Sequence, residues 1–322
     1  MESAAFAQLD ELRASGLALP FEVIDTAAAA SGLMDGFAAV LLDCDGVLYR
    51  GGELTPHAAA FVRRLCSSKL VLFVTNASSR SRSQLRARLS AKLECTLRDE
   101  QMVPSSYACA CFLRQALAPR TRIFVVGGSG LCDEIRIAGF SVEQCDDDDS
   151  GMTEAQFAVY DAGAQPFDAV VVGHDTHFNY RKLCIATLHL QRNSACLFVS
   201  TNDDAFDIVG ADGRHWPGNG ALVRAVEFAS QRAAVNVGKP SAALANLILS
   251  EHAIAPESAI MIGDRLDTDI QFGVGGGMAT ALVLTGCTSA RDLIALLEQD
   301  HGQRLPIPFP RVVMPYLGLM CA

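Results

Sequence analysis

The sequence predicts an α/β fold built on a doubly wound parallel sheet. Short, continuously apolar runs recur along the chain, and patterns of helical period separate them. Runs without polar alternation suit strands covered on both faces, and strands alternating with helices imply parallel pairing. Several runs end abruptly on Asp, Thr or Asn, where a doubly wound sheet binds its ligands.

In chain order, residues 1–36 are Ala-rich and mixed in polarity. They are expected to add a helix or frayed arm before the first strand, with no visible chemistry. Strand-length apolar runs follow at 38–42, 70–74, 123–126, 169–172, 197–199, 260–262 and 281–284. Between them, residues 57–65, 82–93, 180–190, 222–229 and 242–249 place apolar side chains three and four apart, the spacing of an amphipathic helix. The acidic run from Asp146 to Ser150 reads as a solvated loop, lacking the spaced oxygen ligands and glycine of a calcium loop.

Composition narrows the function. The 322 residues are 50% hydrophobic, enough for a buried core and for roughly two domains. A formal net charge of −10 argues against duplex nucleic acid or an anionic membrane as partner, since either needs a field of Lys and Arg. The 11 cysteines include no CxxC pair, so neither a disulfide framework nor a structural zinc site is expected. With no basic or long apolar leader and no apolar run near the roughly 18 residues of a membrane helix, the expected location is the cytoplasm.

Four segments carry candidate chemistry. Asp43 and Asp45 flank Cys44 directly after an apolar run. A carboxylate there can attack phosphorus if a cation suppresses their repulsion, although such a pair alone is also an ordinary polar strand end. Thr75 and Asn76 end the next run and offer a hydroxyl, an amide and backbone N–H groups for phosphate oxygens, or else a polar turn. Lys239 precedes Pro240 at a helix entry, placed to balance carboxylates or to lie on the surface. Asp264, Asp267 and Asp269 follow another apolar run, with Asp264 placed to ligate an oxygen-loving ion such as Mg²⁺ and Asp267 read as solvated.

In this order the segments resemble the haloacid dehalogenase superfamily of phosphohydrolases. Residues 43–49, 74–76, 172–178, 217–220, 238–241 and 263–269 sharpen the resemblance to its 4-nitrophenylphosphatase, phosphoglycolate phosphatase and pyridoxal phosphatase group. The resemblance implies a Rossmann-like core, at 37–117 and 234–322, interrupted by a large α/β cap at 118–233. About 160 residues separate Thr75 from Lys239, more than a simple crossover needs. Ala77 departs from the group, many members of which carry a second Asn there, so only backbone contacts to phosphate would survive. The tail from about 303, with Pro306, Pro308 and Pro310, matches the group's last strand poorly.

The resemblance further implies roles. Asp43 would be the nucleophile and Asp45 the general acid and base, hydrolysing a small phosphorylated metabolite through an aspartyl-phosphate. Mg²⁺ would be held by the Asp43 carboxylate, the Asp45 carbonyl and Asp264, with Asp269 in the outer shell. Thr75, Asn76, the Ala77 backbone and Lys239 would hold phosphate oxygens. His177 would hold the nonreacting end of the substrate, Asn202 and residues 218–220 would shape the site, and the Arg-rich helix at 80–88 could steer anions to it. Phosphoglycolate is the expected substrate, pyridoxal phosphate the alternative, and a homodimer through the cap the expected assembly. A phosphoacceptor signalling domain or a silent scaffold are the rivals from other classes.

Overall fold

The computed structural model describes residues 1–145, 151–160, 166–209, 213–299 and 307–321. The acidic run at 146–150 lies outside them. Along the chain run α1 (Glu2–Ala14), β1 (Glu22–Val23), α2 (Ala27–Ser31), β2 (Ala39–Leu42), β3 (Tyr49–Arg50), β4 (Glu53–Leu54), α3 (Ala58–Cys66), β5 (Leu70–Thr75), α4 (Arg82–Leu93), β6 (Met102–Pro104) and α5 (Ser105–Ala116). Then follow β7 (Arg122–Val126), α6 (Ser129–Ile137), β8 (Ser141–Glu143), α7 (Glu154–Val159), β9 (Ala169–Val172), α8 (Tyr180–Arg192), β10 (Leu197–Ser200), β11 (Phe206–Val209), β12 (Arg214–Pro217), α9 (Asn219–Ser230) and β13 (Val235–Asn236). The remainder comprises α10 (Ala242–Glu251), β14 (Ala259–Gly263), α11 (Gln271–Gly275), β15 (Ala279–Val283), α12 (Ala290–Gln299) and β16 (Val312–Met314).

The larger sheet has the order β1-β16-β15-β14-β2-β5-β6, and every pairing in it is parallel. Its continuous apolar runs have a simple cause. In β2, Val40 and Leu42 enter one apolar cluster while Ala39 and Leu41 enter another, on the opposite face. A second, five-stranded sheet, β13-β10-β9-β7-β8, is also parallel and is filled the same way: Val170 and Val172 pack in one cluster, Ala169 and Val171 in the other. Both sheets are therefore covered on two sides, as the sequence predicts.

We propose that the larger sheet is the core and the smaller one the inserted cap. Two elements cross the expected boundaries: α5 contributes Ala108 to a core cluster and Leu113 to a cap cluster, and β13 pairs with β10 of the smaller sheet just past residue 233. The two ends of the chain depart further from expectation. Residues 1–36 supply α1, α2 and the edge strand β1. The tail forms β16, fully buried between β15 and β1, so Pro308 and Pro310 precede a regular strand instead of replacing one. Two- and three-residue strands lack the length for a periodic signal.

The two units meet closely along residues 78–82. Ser106 Oγ fixes Arg80 O at 2.7 Å within the larger unit, and Arg82 N donates across to the buried Glu134 Oε1 at 2.6 Å. Gly130, in the first turn of α6, packs so tightly there that an added methyl would overlap the Arg80 backbone. Gly130→Ala is expected to destabilise the fold by about 1–3 kcal/mol through overpacking. Gly32→Ala, where an added methyl meets open space, is expected to change stability by less than about 0.5 kcal/mol, both read by chemical denaturation.

Candidate active site

The chain leaves β2 to build the sheet in one direction through β5 and β6, then returns to β14 and builds in the other. The strand order therefore reverses between β2 and β14, opening a crevice beyond their carboxyl ends. Asp43 N donates to Ile262 O at 2.9 Å, which keeps the two strand ends level. Asp43 and Asp264 follow directly, and Thr75 ends the neighbouring β5.

Asp43, Asp264 and Asp269 offer carboxylate oxygens that all lie within 4.8 Å of one another, and all three side chains are buried. Lys239, only 2% exposed, reaches them from the entry to α10: Nζ donates to Asp43 Oδ1 at 2.5 Å, to Asp269 Oδ1 at 2.6 Å and to Val74 O at 2.8 Å. Burial by itself would lower the Lys239 pKa, but Asp269 and Asp43 outweigh it and raise it. Burial pushes the Asp43 carboxyl well above its ordinary range; Lys239 opposes this, and Asp269 and Asp264 add to it. The Asp264 carboxyl is pushed up to about 7, by burial first and Asp269 second. When ionised, these three carboxylates outnumber the one ammonium that contacts two of them, a donor set that fits a hard divalent cation.

Asp269 gets there through a single π-helical turn, Leu266–Ile270, closed by Ile270 N donating to Arg265 O at 3.1 Å. Its Oδ2 accepts from Asp264 N at 3.1 Å and Arg265 N at 3.0 Å. Asp264 Oδ2 in turn accepts from Cys287 N at 2.6 Å. Gly46 has φ +82° and faces the Asp264 carboxylate so closely that any side chain would overlap it.

A cleft of about 330 Å³ opens over this cluster, lined by Asp45, Thr75, Asn76, Ala77 and Lys239 among the expected residues. Asp45 is exposed to the cleft, yet the surrounding walls raise its carboxyl pKa, with Asp207 as the next cause. Tyr49 Oη donates to Asp45 Oδ2 at 3.5 Å. Cys44 is fully buried, and burial followed by its two acidic neighbours pushes its thiol far up, which disfavours a reactive thiolate.

The expectation for His177 needs correction. Asn76 lines the cleft as expected, with its side-chain amide engaged by the protein: Oδ1 accepts from Lys239 N at 2.9 Å, and Nδ2 donates to Lys239 O at 3.2 Å and Asp204 Oδ1 at 3.1 Å. His177 does not line the cleft. The buried Lys182–Asp175 ion pair at 2.9 Å, with Lys182 Nζ donating to His177 O at 3.2 Å, ties its turn beside an adjoining cavity of about 480 Å³, and His174 lines the cleft instead. Arg80 and Arg82 lie outside the cleft lining, Arg82 stacking over Tyr107 at 3.9 Å while Arg50 and Arg265 line it, yet Arg88 and Arg80 still act downward on the Asp45 carboxyl.

Sequence reasoning overlooked Asp204, Asp207 and Arg265, which also line the cleft. Burial pushes the Asp204 carboxyl up to about 6, although Arg265 and Asn76 act downward. The signal was present for Asp204, since residues 201–204 are polar and directly follow β10. Asn202 and Asn219 complete the joint: Asn202 Nδ2 donates to Asn76 O at 2.8 Å and Asn219 Nδ2 to Asn202 O at 2.7 Å.

A doubly wound sheet with buried carboxylates and a lysine at its switch point defines an α/β enzyme with an oxygen-rich cation site. Residues 40–141 match the family model of haloacid dehalogenase-like hydrolases, and residues 236–304 match a second model of the same superfamily. Chronophin of Homo sapiens is 40% identical over 273 residues, covering 83% of this chain and 88% of its own. The chloroplastic phosphoglycolate phosphatase 1A of Arabidopsis thaliana is 34% identical over 290 residues, 89% of this chain and 78% of its own. Glycerol phosphate phosphatase of Mycobacterium tuberculosis, solved with magnesium, superposes with a TM-score of 0.71 at 28% identity, over 89% of this chain and 77% of that one. The chain belongs to the haloacid dehalogenase-like hydrolases and is a phosphoric monoester hydrolase.

The raised Asp264 carboxyl carries a pH signature. Its folded pKa of about 7 exceeds the ordinary 3.8, so its contribution to stability is full below about pH 4 and is lost as pH rises through about 7. In chelator, the thermal midpoint of the wild type is expected to fall more between pH 5 and 7.5 than that of Asp264→Asn. Mg²⁺ should restore stability chiefly at the higher pH, because the cation binds the ionised form. Parallel pH profiles for the two proteins would contradict this.

Proposed function

We propose that the chain is a Mg²⁺-dependent hydrolase of small phosphate monoesters that works through an aspartyl-phosphate on Asp43, with phosphoglycolate as the first candidate substrate. The observation that carries this reading is the buried Lys239 ammonium between Asp43 and Asp269, with Asp264 beside them at the strand-order switch. That arrangement holds a carboxylate, an ammonium and a cation site around one point, as phosphoryl transfer requires.

In the first half-reaction the Asp43 carboxylate attacks phosphorus in line, the bond to the leaving alcohol oxygen breaks, and Asp45 gives that oxygen its proton. In the second, Asp45 takes a proton from water as the water oxygen attacks the phosphorus, releasing phosphate and freeing Asp43. Burial raises the Asp45 carboxyl pKa, which moves it in the direction an acid role requires. Asp43, Asp264 and the Asp45 carbonyl would hold the divalent ion, which would supply the charge neutralisation that lets carboxylate and phosphate approach. Both Asp269 oxygens already accept hydrogen bonds, which supports an outer-shell role. Thr75, the Ala77 backbone and Lys239 are the groups we assign to phosphate oxygens.

Trp216 and Tyr49 line the same cleft and support a second substrate, a planar aromatic ester such as pyridoxal phosphate. Asp45 within the cleft favours hydrolysis over a phosphoacceptor domain that stores its phosphoryl group. Exposed Tyr180 and Phe228, on the paired proposed cap helices α8 and α9, support a homodimer through the cap. Phe228→Asp should then lower the mass seen by light scattering. Cysteines free throughout the described residues support a reducing compartment, read here as the cytoplasm; recovery in a sealed organelle would contradict it. Among the described residues no helix is long and apolar enough to cross a membrane.

Asp43→Asn is expected to lower kcat by at least about 10³-fold, and full activity of that variant would refute the mechanism. Asp45→Asn should slow the first half-reaction, read as kcat/KM, far more for alkyl phosphates than for 4-nitrophenyl phosphate, whose leaving group departs without a proton. A Mg²⁺-supported comparison of phosphoglycolate, pyridoxal phosphate, glycerol phosphate and phosphotyrosine, ranked by kcat/KM, identifies the substrate class.

A further inference from the structure

Residues 285–288 wrap the metal-side carboxylate. Cys287 N donates to Asp264 Oδ2 at 2.6 Å, Thr288 N donates to Asp264 O at 3.0 Å, and Thr285 Oγ1 donates to Gly46 O at 2.5 Å. This loop leaves β15 through Leu284 and enters α12 at Ala290. One side chain bridges both of its ends: Gln8, on α1, donates from Nε2 to Leu284 O at 3.0 Å and accepts at Oε1 from Ala290 N at 3.0 Å. A carbonyl at one end and an N–H at the other leave a primary amide only one orientation. The bond to Ala290 also satisfies a donor that the first turn of α12 cannot pair internally.

The same helix reaches the other carboxylate by packing. Leu9 and Leu12 are fully buried in one cluster with Leu266, Ile270, Leu284 and Ala290. Leu266 and Ile270 open and close the π turn that carries Asp269. So α1 bonds both ends of the loop that holds Asp264 and shares an apolar cluster with the turn that presents Asp269, although Gln8 and Leu284 are 276 residues apart.

We propose that Gln8 is a positioning residue of the divalent-metal site and that α1 is part of that site's framework, an inference that rests on the metal reading above. Without the bridge, loop 285–288 keeps its bonds to Gly46, Asp264, Arg50 and Arg265 but loses the one side chain that ties its two ends together. Asp264 is then oriented less firmly, and metal binding must supply part of the ordering.

The test uses full-length Gln8→Leu, which removes both bonds, Gln8→Glu, which keeps only the acceptor, and Arg291→Ala, which removes the exposed Arg291–Glu11 contact between α12 and α1. Mn²⁺ binding is followed by electron paramagnetic resonance, alongside the Mg²⁺ dependence of turnover. Gln8→Leu is expected to weaken Mn²⁺ binding roughly 3- to 10-fold, less than the roughly 10- to 100-fold typical of direct ligand partners because Gln8 acts one step further out. The Mg²⁺ concentration for half-maximal activity should shift by the same factor, with KM for ester at saturating Mg²⁺ unchanged. Gln8→Glu should fall between, and Arg291→Ala should match the wild type. Wild-type Mn²⁺ affinity in Gln8→Leu, even with a lowered thermal midpoint, overturns the proposal, as does equal weakening by Arg291→Ala. If Gln8→Leu does not fold, wild-type affinity in Gln8→Glu overturns it instead. A wild type that binds no Mn²⁺ refutes the metal reading itself, and this inference with it.

Discussion

Lys239 brings its ammonium into contact with Asp43 and Asp269 where almost no water reaches, and the demands of that contact organise the surrounding structure. A buried charge is tolerated only when it is paired and fully hydrogen-bonded. Lys239 Nζ has two carboxylates and the Val74 carbonyl, and its backbone N and O are both bonded by Asn76. The lysine is thereby immobilised at both ends, and Asp43, at the end of β2, is drawn to a common point with Asp269, on the turn that follows β14. The charge imbalance that remains is the property a divalent cation would correct.

The same constraint explains why the joint between the two units is polar. Asn76 is the hinge of this arrangement, because its amide serves Lys239 and Asp204 while its carbonyl accepts from Ser105 Oγ and Asn202 Nδ2. Asn219 extends the chain of bonds to Asn202 and Val172. Residues that contact the smaller unit thus also position the lysine, so substitutions at the joint are expected to reach the reaction centre through geometry. A network of this kind is specific because each buried amide must find partners for both of its ends.

The amino-terminal segment changes most between sequence and structure. Read alone, residues 1–36 offer Ala-rich helical composition and no recognisable chemistry. In the fold, Leu9 and Leu12 complete the cluster beneath β16 and the π turn, and Gln8 closes the loop around Asp264. A glutamine on a helix has no sequence signature for such a role. Its significance lies entirely in which backbone groups stand opposite.

All seven strand-length apolar runs became strands, because burial on both faces writes a continuous apolar signal into local sequence. The acids and the lysine were legible for a related reason, since charged residues at the ends of buried strands conflict with their surroundings unless they function. The sequence by itself determined the fold class, the family and the residues able to carry charge. Tertiary structure alone decided how the other polar groups are engaged: that the Asn76 amide is committed to Lys239, that His174 and not His177 meets the cleft, and that Gln8 supports Asp264. Periodicity records what a residue buries, whereas hydrogen-bond partners come from segments far apart in the chain, and their pairing exists only once the sheets have closed.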